Sequence, residues 1–128
     1  MTMQELRERG LALRRRIFGE ATVQTRMDAA GEFGAPLQGM VNAWGYGEVW
    51  SRPGLALGTR SLAALAMTAA LSRPGEFRVH MRGALANGCT PAEIREVLLM
   101  VALYAGIPAA NEAHKLAHEV LVEQGKSL

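Results

Sequence analysis

His80 is the one histidine outside the C-terminal segment, and Glu76 stands four residues before it. On a helix that spacing puts a carboxylate and an imidazole on one face, where the pair can work as an oriented acid or base near neutral pH. A partly buried histidine making one structural hydrogen bond leaves the same local signature. His114 and His118 form an HxxxH pair that would also share a face. No HExxH glutamate and no third ligand accompanies them, so no metal is expected there, and Lys115 and Glu119 mark an exposed surface.

Arg52, Arg60, Arg73, Arg78 and Arg82 crowd into one stretch of the chain. Guanidinium groups bind carboxylates through two parallel hydrogen bonds, which points to an anionic small-molecule substrate. Surface ion pairing explains most of them individually. Arg60 stands apart because it opens the most apolar segment, where a charge is costly to bury without a partner. Residues 31–58 hold Phe33, Trp44, Tyr46 and Trp50, four of the seven aromatic residues. Beside Glu48 and Arg52 these rings either plug a core or wall a pocket. Cys89 lies in a turn ahead of a helix start, a place that favours thiolate, although a lone thiol in a turn is usually inert.

The elements that must position these residues are helices. Among 128 residues there are 21 Ala and 16 Leu against 8 Val and 3 Ile, a balance that favours helix over strand. The expected architecture is a single all-α domain, 1–128, of about six helices. A first helix is predicted over Thr2–Ile17, with Arg14, Arg15 and Arg16 forming its solvated end. A short helix follows over Pro36–Trp44, then an irregular stretch through Gly54. Thr59–Leu71 is nearly all apolar and reads as a buried central helix. Arg73-Pro74-Gly75 breaks the chain before a helix over Glu76–Ala86, which Asn87-Gly88 ends. Thr90, Pro91 and Glu93 make a capping box for the next helix, running to Tyr104. A last helix follows Gly106-Ile107-Pro108 and reaches Glu123.

Net charge is only +2, which argues against a dedicated nucleic-acid binder. One cysteine excludes an internal disulfide, a CxxC pair and a cysteine-built zinc site. No apolar run approaches the roughly 20 residues of a membrane span, and the N-terminus carries no signal-peptide core, so a cytoplasmic protein is expected.

Taken in order, several runs resemble the 4-carboxymuconolactone decarboxylase family. They are Gly47-Glu48-Val49-Trp50-Ser51-Arg52-Pro53-Gly54-Leu55, Thr59-Arg60-Ser61-Leu62, His80 through Thr90, Glu93 through Leu99, and Tyr104 through Asn111. The resemblance covers almost the whole chain and implies the alkyl hydroperoxidase D-like helical fold, assembled as a trimer or hexamer. In the peroxidase branch a CxxCxxxH motif ends at the position of His80. Here Arg73 and Glu76 stand where its cysteines would be, and Ser61 where that branch has Glu, so disulfide-relay chemistry is excluded. Met100 replaces a histidine found in many decarboxylase relatives.

The implied reaction is loss of CO₂ from a small anionic lactone, without a cofactor because the lactone carbonyl accepts the electrons. The implied catalytic residues are His80, Glu48 and Arg60; Arg52, Trp50, Tyr46 and Tyr104 would bind substrate. Two alternatives are a related enzyme on another small anionic lactone or enol acid, and a non-catalytic helical oligomer.

Overall fold

The computed structural model describes residues 1–127. All regular structure among them is helical, and the chain forms two compact units, Met1–Leu55 and Ala56–Leu128.

In the first unit, α1 spans Met3–Phe18 and starts at Thr2, whose hydroxyl accepts the Glu5 N–H at 3.1 Å. It stops at Gly19, where a φ of 91° suits glycine and the amide closes back on Arg15 O. Next comes α2, Glu20–Met40, two helical stretches joined at Gly31, whose backbone is not helical (φ 58°, ψ −158°). Residues Val41–Trp50 then continue as a π-helical segment, with wider turns than an α-helix. The short helix expected over Pro36–Trp44 is therefore a part of something longer. Gly31, Gly34 and Pro36 carry loop-like chemistry, and α2 buries only Val23 and Gln38, so it lacks an apolar stripe to announce it.

Within this unit α1 lies against the π-helical segment. Gly10 and Gly47 are buried, and their missing side chains let the two backbones meet. The three consecutive arginines do not behave alike. Arg14 is only 8% exposed, which corrects the reading of the run as a solvated helix end; Arg16 is exposed. Gly10, Arg14 and Ile17 lie on one face of α1, and that face is the buried one.

The second unit packs α3 (Leu57–Ala70), α4 (Pro74–Ala86), α5 (Pro91–Ala105) and α6 (Ile107–Glu123) around Leu65, Phe77, Met81, Ile94 and Val120. The Thr90–Glu93 capping box forms as expected, with both reciprocal bonds present. Gly106 (φ 101°) turns the chain directly from α5 into α6. The buried central helix is a one-sided helix instead. Only Ser61, Leu65 and Ala69 of α3 are buried, while Leu71 is 65% exposed. A segment apolar all round offers several faces, and only this stripe is fully covered.

Candidate active site

The proposed site residues divide between the units. On the first, the π-helical segment carries Tyr46, Glu48 and Trp50, and Arg52 follows it. Tyr46 is buried: its ring meets Phe18 edge-on at 5.9 Å and stacks on Trp50 at 5.7 Å. The Arg14 guanidinium lies 5.7 Å from the same ring centre. Tyr46 therefore belongs to the packing beneath Trp50, which corrects its reading as a pocket wall. Trp50 itself is half-buried. Glu48 and Arg52 are exposed and pair with each other at 3.3 Å.

A polar cluster missed by the sequence reading underlies this segment. Arg14 Nη1 donates to Gln38 Oε1 and to Asn42 Oδ1, each at 2.9 Å, with the Met27 sulfur beside them. One buried cation thus joins α1, α2 and the π-helical segment. Its signal was Gly10 and Ile17, small and apolar residues flanking Arg14 on one helix face.

On the second unit, Arg60 and His80 are half-buried, Arg60 in the first turn of α3 and His80 in α4. The neighbours Phe77 and Met81 belong to the core, which holds the α4 backbone firmly around His80. Burial pushes the His80 imidazole below its ordinary value near 6.5, and the Glu76 carboxylate one turn back offsets part of that shift. At neutral pH the ring is mainly neutral, a hydrogen-bond donor or acceptor whose cationic form is the minor one.

Tyr104 is 79% exposed and lines a shallow apolar groove of about 300 Å³ with Met67, Met100 and Val101. That groove is built from α3 and α5, so Met100 and Tyr104 go together. Ser61 is fully buried, and its hydroxyl accepts from Asn87 Nδ2 at 2.9 Å, tying α3 to the end of α4. Cys89 is buried too; its thiol donates to Gly58 O at 3.3 Å and titrates above its usual range because of that burial. Such a thiol is a poor nucleophile. His114 and His118 are exposed on α6, and among the described residues no three metal-capable side chains converge.

Among the described residues the architecture is all-helical, in keeping with the alkyl hydroperoxidase D-like fold of the family that the sequence matches. Residues 35–119 match the model of the carboxymuconolactone decarboxylase family, and the chain belongs to that family. It is 38% identical to a 4-carboxymuconolactone decarboxylase of Acinetobacter baylyi, over 98% of this chain and 93% of that one. It is 36% identical to a nitrosuccinic acid decarboxylase of Metarhizium robertsii, over 86% and 77% of the two chains. An uncharacterized 15.0 kDa protein of Paracoccus denitrificans shares 33% over 66% and 64%.

Proposed function

We propose that this protein removes CO₂ from 4-carboxymuconolactone to give 3-oxoadipate enol-lactone, a step in the breakdown of aromatic acids. The observation that carries the reading is the 38% identity to an enzyme of that name along nearly the full length of both chains.

The substrate's γ-carbon bears both the departing carboxylate and an acetate arm. As the C–CO₂ bond breaks, its electron pair moves through the ring into the lactone carbonyl, and the resulting dienolate takes a proton at carbon. Arg60 is suited to hold a carboxylate or the developing oxyanion, and one such donor is typically worth about 3 kcal/mol. His80 in its cationic form supplies the proton and is left as neutral imidazole. The lactone is its own electron acceptor, so the reaction itself calls for no cofactor.

The nitrosuccinic acid relative favours a second reading. Nitrosuccinic acid also carries its carboxylate on a carbon with a –CH₂–COO⁻ arm, and its nitro group is the electron acceptor. Loss of absorbance of enzymatically made 4-carboxymuconolactone, run beside 2-nitrosuccinate, tests both. Turnover of the lactone alone supports the first reading, turnover of nitrosuccinate alone the second, and turnover of neither leaves an enzyme of another small anionic lactone or enol acid, or a non-catalytic protein.

A homo-oligomer, trimer or hexamer, accounts for apolar surface on each unit: Phe33, Leu37 and Trp44 on the first, Leu103, Tyr104 and Ile107 on the second. A concentration-independent monomer in sedimentation would refute it. No helix among the described residues is long and apolar enough to cross a membrane, which together with one buried thiol supports a cytoplasmic setting.

A further inference from the structure

We propose that the cleft between the start of α5 and the C-terminal half of α6 binds a small monocarboxylate with an apolar body. The cleft holds about 320 Å³, at the low end of the usual range for ligand pockets. Ile94, Leu98 and Leu121 make its apolar floor, and Arg95, His114 and His118 stand around it.

Among the described residues that line the cleft, the charged side chain is the cationic Arg95 and none is acidic. Glu93 is turned back onto the Thr90 amide, Glu119 is paired with Arg78, and Glu123 is paired with Arg82. The positive end of the α5 dipole opens at the same place. The negative end of α6 is muted, because the carbonyls of Val120, Leu121 and Val122 accept the amides of Gln124, Lys126 and Gly125. A carboxylate would take the Arg95 fork through two parallel bonds, and a ring N–H from either histidine could add a third. The lining residues come from α5, α6 and the segment after it, with none from α4, so this is a different place from His80.

Benzoate and benzyl alcohol, titrated into the ¹⁵N-labelled full chain, test the proposal. Benzoate should shift the amides of Ile94, Arg95, Leu98 and His114 and saturate them. Benzyl alcohol, with the same ring and a similar size but no charge, should bind at least tenfold more weakly. Arg95→Ala, at an exposed position, should weaken benzoate at least tenfold and leave decarboxylation unchanged. Benzoate shifts confined to the surroundings of Arg60 and His80, equal affinity for the alcohol, or indifference to Arg95→Ala would each overturn it.

Discussion

A Cβ placed on Gly10 would fall 2.6 Å from the backbone nitrogen of Gly47, and only 1.6 Å from the carbonyl oxygen of Asn42. Backbone atoms cannot swing aside as a flexible side chain can. Gly10→Ala is expected to cost about 3 kcal/mol or more, or to prevent folding. Gly45→Ala, whose added methyl meets nothing within 4 Å, should change stability by less than about 1 kcal/mol. Urea unfolding of both variants checks the contrast.

Arg14→Met keeps the volume and removes both guanidinium bonds. Gln38 Oε1 and Asn42 Oδ1 would lose a buried donor, a loss of about 1–3 kcal/mol for each oxygen left unsatisfied. A fall in the denaturation midpoint at constant m-value is expected. Arg14→Lys should recover less than half of it, since an ammonium is more strongly hydrated than a guanidinium and costs more to bury. Wild-type stability in Arg14→Met would show that the cluster contributes nothing.

His80 titrates lower in the fold than in the unfolded chain. Between its folded value and about 6.5 the unfolded state binds more protons, so stability falls as pH drops through that window. Above it the contribution is fully present. Melting temperatures of the wild type and His80→Gln, measured from pH 8 to pH 5, should converge as the solution is acidified.

If imidazolium delivers the proton, kcat/KM should fall tenfold per pH unit above that same lowered value, because the profile reports the free enzyme. His80→Gln should lower kcat by at least about a hundredfold with little change in KM. Arg60→Ala should chiefly raise KM. A flat pH profile together with an active His80→Gln variant would move the acid to Tyr104 or Glu48.

Alkylation of Cys89 by iodoacetamide at pH 7.5 should be at least about tenfold slower in the folded protein than in urea, given its burial and raised titration. Cys89→Ser should keep its activity.

The second unit was legible in the sequence because its signals are local. Thr90, Pro91 and Glu93 state a helix start by themselves, and Gly106 states a turn. The first unit was less so. Its α2 has glycine and proline inside it and little buried surface, and nothing in residues 41–50 distinguishes π from α turns. Candidate site residues were chosen by type, and residue type does not express surroundings. Tyr46 looked like a pocket wall because an aromatic beside charged residues reads that way, and only its contacts with Phe18 and Trp50 reveal a packing role. Arg14 was hidden by its two arginine neighbours. The lowered His80 titration depends on burial, which no spacing expresses.

The π-helical segment also bears on how the length of this chain can change. A deletion within residues 41–50 lets i→i+5 bonding close up to i→i+4, while the same deletion in α5 or α6 rotates everything beyond it by about 100°. Chains shortened by one residue are therefore expected to have lost it here, where the helix has slack to give.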